Sequence, residues 1–127
     1  MESQVKIGLF AIGLDTYWPQ FAGLKERLER YRERIRDGLA EPAVAVVDAG
    51  MVDSVEKARE AATLFKKEDV ELIFLYVSTY ALSSTVLPVV QKADVPVVVL
   101  NLQPVRSLDY AAFNALGDRG VMTGEWL

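Results

Sequence analysis

Cysteine and histidine are both absent from this chain of 127 residues. Without cysteine there is no disulfide, no thiolate metal site and no thiol nucleophile. Without histidine, a Ser-His-Asp triad, a histidine general base and a histidine-ligated metal are all excluded within the chain. Positive charge is in deficit: 14 Lys and Arg against 18 Asp and Glu leave a net charge of −4. That balance argues against a general nucleic-acid binder, which needs net or strongly patched positive charge. No apolar run approaches the ~20 residues of a membrane-spanning helix. The opening Met1-Glu2-Ser3-Gln4-Val5-Lys6 carries an acid and runs straight into a strand-like segment. It has no signal-peptide h-region or cleavage site, so the cytoplasm is the expected compartment. Phosphate-binding glycine loops are missing too. Gly8 and Gly13 do not make a G-x-G-x-x-G at the first turn, and no P-loop is present.

What remains is ordinary globular material, 51% hydrophobic and 25% charged. The length suits one domain and can bury roughly two-thirds of its surface. Residues 5–12 form a mostly apolar run, as expected of a strand buried on both faces. Trp18, Phe21, Leu24, Leu28, Tyr31, Ile35 and Leu39 follow at helical steps, with Pro19 in the first turn and Gly38 and Pro42 at the end. A second strand is expected over 43–47, closed by Asp48-Ala49-Gly50. Asp53 or Ser54 then caps a second helix, and Asp53 with Glu56 resembles a capping box. Val55, Ala58, Ala62 and Phe65 form its apolar stripe. Residues 72–77 read as the third strand and 95–100 as the fourth. Between them a third helix either begins near Ser84, with Pro88 in its first turn, or is kinked at Pro88. A loop over 101–107 and a short helix over 109–116 complete the pattern.

Alternating strands and helices, with continuous apolar strands, define a parallel sheet covered on both faces. The expected fold is a three-layer α/β sandwich. Its open parallel sheet is flavodoxin- or Rossmann-like, with four to five strands in the order 2-1-3-4 and right-handed crossovers. With no internal repeat and no Gly/Ser linker, 1–127 parses as a single domain. The end, Gly120-Val121-Met122-Thr123-Gly124-Glu125-Trp126-Leu127, is apolar where domain ends are usually polar. It reads as a chain stopped partway through a larger protein.

Ligands of open parallel sheets bind beyond the carboxyl ends of the strands. Four segments are expected there: residues 13–18, 48–51, 78–80 and 101–104. They are rich in hydroxyl, amide, carboxylate and aromatic groups, which suit a polyol through hydrogen bonds and ring-to-C–H contact. The same residue types also cap helices and make turns. Asp15, Thr16, Tyr17, Trp18, Thr79 and Tyr80 are the candidate substrate-binding residues. A phosphoacceptor receiver domain would need an acid at the end of the third strand, where Tyr76-Val77-Ser78 stands. A flavin site would want a Ser/Thr-rich loop after the first strand, where Asp15 and bulky rings stand instead. The first helix alternates Arg27, Arg30, Arg32, Arg34 and Arg36 with Glu26, Glu29, Glu33 and Asp37. That pattern reads as a solvated face with i,i+4 pairs, or as a subunit interface using arginine forks.

Several stretches resemble the amino-terminal domain of the L-arabinose isomerase and L-fucose isomerase superfamily, in its arabinose-isomerase-like branch. They are Ile12-Gly13-Leu14-Asp15-Thr16-Tyr17-Trp18-Pro19-Gln20-Phe21, Thr79-Tyr80-Ala81-Leu82-Ser83-Ser84-Thr85-Val86-Leu87-Pro88, Asn101-Leu102-Gln103-Pro104, and Gly117-Asp118-Arg119-Gly120-Val121-Met122-Thr123-Gly124-Glu125-Trp126-Leu127. The resemblance implies a longer, multidomain parent that interconverts aldoses and ketoses with a divalent metal, usually manganese. In that family the metal is held by two Glu and two His of later domains, so this stretch itself carries no cofactor and no catalytic residue. It implies an amino-terminal domain that packs on a neighbouring subunit of a trimer or hexamer and closes the sugar pocket from the side. Tyr17 matches the family's tyrosine in the first-strand loop. Leu14 stands at its substrate-contacting glutamine, Thr16 at its leucine, and Leu116 at the histidine of its His-Gly-Asp-Arg motif. These departures leave the identity of the sugar open.

The leading expectation is therefore the amino-terminal domain of a sugar isomerase-like protein, with the remaining domains, further copies of itself and a small sugar as partners, and neither nucleic acid nor membrane. The alternatives are a non-catalytic, flavodoxin-like sugar- or nucleotide-binding module and a scaffold that binds nothing.

Overall fold

A computed structural model describes residues 4–103, 106, 107, 110 and 111. Strands β1 (Val5–Ile12), β2 (Val44–Val52), β3 (Leu72–Val77) and β4 (Val97–Leu100) alternate with helices α1 (Leu24–Leu39), α2 (Val55–Lys67) and α3 (Ser83–Ala93). All strand pairs are parallel, in the order β2-β1-β3-β4. This is the open three-layer α/β sheet that the alternating pattern predicts. Side chains alternate across β1. Leu9 and Ala11 pack with Leu24 and Leu28 of α1 on one face. Phe10 and Ile12 pack with Ala58, Ala61 and Phe65 of α2 and Val89 of α3 on the other. Strands covered on both faces need apolar residues at every position, which is why β1 and β3 read as unbroken hydrophobic runs. No helix of the described residues is long and apolar enough to cross a membrane.

The helical stripe begins later than its spacing suggests. Trp18 and Phe21 lie before α1, in the loop that follows a 3-10 turn (Asp15–Tyr17). Pro19 belongs to that loop. Gly23, at φ 77°, starts the helix in a left-handed conformation that residues with a Cβ rarely adopt.

Strand β2 does not close at Asp48-Ala49-Gly50 but runs through to Val52. Register with β1 steps from Leu9↔Asp48 to Ala11↔Met51, so one extra residue is accommodated as a bulge. Gly50 supplies φ 79°, and its N–H donates to Asp48 Oδ1 at 2.9 Å. The segment 48–51 is thus strand, and it leaves the set of edge loops.

Ser54, not Asp53, caps α2: its hydroxyl accepts from the Lys57 N–H at 3.2 Å. Val55, placed on the apolar stripe by its spacing, is exposed, and Ala61 takes the buried position. Pro88 lies inside α3, past its first turn. Having no N–H, it leaves the Ser84 carbonyl without the usual i+4 donor. Strand β4 starts at Val97 instead of Val95. Of the helix expected over 109–116, Tyr110 and Ala111 are helical, and the rest lies outside the described residues, as does the segment 117–127.

Candidate functional site at the carboxyl edge of the sheet

The carboxyl ends of β1, β2 and β3 come together because Ile12 is paired with both Val52 and Val77. Three connections leave from this point. From β1 the chain passes through Gly13 and Leu14 into the Asp15–Tyr17 turn. From β2 it passes through Asp53 and Ser54 into α2. From β3 it passes through Ser78, Thr79 and Tyr80 toward α3.

Side chains brace these connections to one another. The Trp18 indole N–H donates to Asp53 Oδ2 at 2.7 Å, joining the first connection to the second. Lys57 Nζ lies 3.1 Å from the other carboxylate oxygen of Asp53, from one helical turn along. The Ser78 hydroxyl donates to the Ile12 carbonyl at 2.6 Å, joining the third to the first. Gly13 is where the indole comes to rest. A Cβ built there would stand 3.0 Å from Trp18 Cζ2 and Cη2 and 3.0 Å from Met51 Sδ. The turn itself is tied by the Gln20 side-chain amide donating to the Thr16 carbonyl at 2.9 Å. Tyr17 and Phe21 meet edge to face, with ring centroids 5.5 Å apart.

Electrostatics single out Asp53, which is buried at 5% exposure. Burial pushes its carboxyl up. The Trp18 and Lys57 hydrogen bonds and the charges of Lys57 and Lys25 outweigh that and hold it below the usual carboxylate range. The stability contributed by the carboxylate is therefore complete above the unfolded value of about 4 and is lost as pH falls through the lower folded value. Asp53→Asn keeps an oxygen acceptor for Trp18 but loses the charge. It is expected to cost roughly 1.5–3 kcal/mol at pH 7 and to remove part of the acid-induced loss seen in the parent chain. Urea unfolding at pH 7 and pH 3 checks this. Equal losses for both proteins between the two pH values would refute the brace.

The candidate residues fare differently. Asp15 and Thr16 are exposed on the turn, and Tyr17 is half-buried against Phe21. Trp18 is half-buried, and its N–H is committed to Asp53. Thr79 is buried at 2% exposure, whereas Tyr80 next to it is exposed at 53%. The edge thus presents a carboxylate, a hydroxyl and a phenol on adjacent connections, held from beneath by Trp18, Asp53 and Ser78. Sequence reasoning missed Asp53 as the partner of Trp18, and Ser78 as a brace. Asp53 stood out only as a helix cap, and nothing in the spacing of Trp18 and Asp53 announces their bond.

Two surface grooves are found among the described residues. One of about 290 Å³ runs between β2 and α2, along Asp48, Met51, Lys57 and Glu60. The other, of about 190 Å³, lies between α1 and the ends of β3 and β4, along Tyr31, Ile35, Tyr76 and Leu102. Among the described residues no three His, Cys, Asp or Glu side chains converge as a metal-ligand set.

Fold and edge together define an open, doubly wound parallel α/β domain with its polar connections at the carboxyl edge. The chain matches no protein-family model and no curated protein.

Proposed function

We propose that this chain is the amino-terminal domain of a metal-dependent aldose–ketose isomerase-like protein, and that its carboxyl edge supplies one wall of a sugar pocket. The reading rests on the resemblance of the edge motifs and on one structural observation. Asp15 and Thr16 are exposed on a short turn braced by the Trp18–Asp53 bond, and the exposed Tyr80 lies on the connection that leaves the neighbouring strand β3. Carboxylate and hydroxyl groups take sugar hydroxyls, and an aromatic ring takes a C–H face. A wall of this kind is completed by another domain or subunit, in keeping with the homo-oligomeric parent, a trimer or hexamer, that the resemblance implies. The metal, manganese in the family it resembles, polarises the sugar carbonyl and hydroxyl when bound. The described residues furnish no ligand set for it, so no step of the interconversion is assigned to them.

Steady-state kinetics on the longest natural chain, with manganese and a panel of aldoses, test this reading. Asp15→Ala is expected to raise KM about ten- to a hundredfold at nearly constant kcat, the size of one charge-assisted hydrogen bond made equally in ground and transition states. An unchanged KM with a lowered melting temperature would make Asp15 a turn residue only. Sugar binding by residues 1–127 with no turnover in any longer chain would favour the non-catalytic binding module instead.

A further inference from the structure

The Asp15 and Thr16 side chains are exposed and make no hydrogen bond or ion pair among the described residues. Their orientation is therefore set by the backbone of the turn that carries them. Trp18 holds that backbone from two ends. Its main-chain N–H donates to the Asp15 carbonyl at 3.1 Å, and its indole N–H donates to Asp53 Oδ2 at 2.7 Å. The turn's further hydrogen bonds among the described residues are local. The Tyr17 N–H donates to the Leu14 carbonyl and the Phe21 N–H to the Tyr17 carbonyl, each at 3.0 Å, and the Gln20 amide reaches the Thr16 carbonyl.

Asp53 sits on a different connection and is fixed in turn from α2. Lys57 Nζ lies 3.1 Å from Asp53 Oδ1, and the Lys57 main-chain N–H donates to the Ser54 hydroxyl at 3.2 Å. A line of contacts thus runs from the first turn of α2 through Lys57, Asp53 and Trp18 to the Asp15 carbonyl. A hydrogen bond to a charged group shifts an equilibrium by about ten- to a hundredfold. A turn released from such a bond must be ordered again when a ligand binds, and that cost is subtracted from affinity.

We propose that Trp18, Asp53 and Lys57 are positioning residues for the sugar site, a role that rests on the sugar reading above. They hold Asp15 and Thr16 in the orientation that meets the sugar and do not contact it themselves. The first turn of α2 thereby sets the affinity of a connection that belongs to another strand.

Two variants separate this role from plain stability. Trp18→Phe keeps an aromatic ring beside Gly13 and removes the indole N–H. Lys57→Gln leaves the indole in place and removes the charge facing Asp53. The first readout is independent of sugar: backbone order parameters of the folded 127-residue chain by NMR relaxation. Those of Asp15, Thr16 and Tyr17 are expected to fall from about 0.85 toward 0.6 in Trp18→Phe, and by less in Lys57→Gln, while β1 and β3 stay rigid. The second readout is steady-state kinetics on the longest natural chain with manganese and aldoses. Trp18→Phe is expected to raise KM about tenfold at nearly constant kcat, and Lys57→Gln by a smaller factor. In an Asp15→Ala background, Trp18→Phe should add no more than about twofold, because its effect passes through Asp15.

A turn that stays rigid in both variants overturns the proposal. So does a KM that neither variant changes, or one that Trp18→Phe raises by the same factor with and without Asp15. Should Trp18→Phe fail to fold, Lys57→Gln decides by the same measurements. Absence of aldose turnover in every longer chain would defeat the sugar reading itself, and the order parameters alone would then decide whether these three residues hold the turn.

Discussion

Phe65→Ala is expected to destabilise the domain by about 3–5 kcal/mol, the cost of deleting a buried aromatic ring and leaving a cavity. Phe65 is 1% exposed and packs on Phe10 with ring centroids 6.0 Å apart. It also lies over β1 at Gly8, where a Cβ would come within 2.8 Å of Phe65 Cε1. The glycine is therefore a packing requirement of the ring. Gly8→Ala alone is expected to cost about 1–3 kcal/mol by overfilling the layer. In the Phe65→Ala background the added methyl enters vacated space, so the double variant should be more stable than the sum of the two losses predicts. Urea unfolding of the four proteins measures the coupling. Strict additivity would show that Gly8 and Phe65 do not share this contact in solution.

That pair marks what the sequence made legible. Phe65 belongs to the stripe Ala58, Ala62, Phe65, whose spacing places it on a buried helix face, and the apolar run of β1 predicts a strand covered on both sides. Strand order and parallel pairing follow from alternating elements and chain handedness, which are properties of the whole pattern. Element ends were less legible, because side-chain chemistry at single positions decides them. Trp18 and Phe21 keep the helical spacing, yet Gly23 holds a left-handed conformation that starts the helix after them. Asp48-Ala49-Gly50 has the composition of a turn. Asp48 satisfies the Gly50 amide from within the strand, and β2 continues.

The same distinction runs through the candidate site. Asp15, Thr16 and Tyr80 could be placed at the carboxyl edge from topology alone, since loops after parallel strands must emerge there. The separation of exposed groups from braces could not. Trp18 and Asp53 are 35 residues apart in sequence, and their bond depends on how far the β1 connection folds back over Gly13. Thr79 and Tyr80 are neighbours with opposite burial, a difference set by the direction of the chain as it leaves β3.

Asp48→Ala is expected to be as damaging as a core deletion, although Asp48 belongs to an edge strand. Its carboxylate pairs with Arg32, has Arg36 Nη1 at 3.7 Å and accepts from the Gly50 amide at 2.9 Å. Arg32 is the residue the charge pattern concealed. It stands among alternating arginines and acids that read as a solvated face, yet it is only 8% exposed. Among the described residues its buried Nε has no hydrogen-bond partner. Removing the carboxylate leaves a guanidinium in the layer between α1 and β2 without its counter-charge. Breaking a buried pair from one side costs about 3–5 kcal/mol, most of it the stranded charge. The pair itself need not stabilise the fold by that amount, since both groups lose their hydration when it forms. Replacing both, as Arg32→Met with Asp48→Ala, removes the stranded charge and should recover most of the loss, leaving mainly the Gly50 amide contact at about 1 kcal/mol. Chemical denaturation of the single and double variants decides the matter. A loss below about 1 kcal/mol for Asp48→Ala would mean that water reaches Arg32 and that the pair belongs to the solvated face after all.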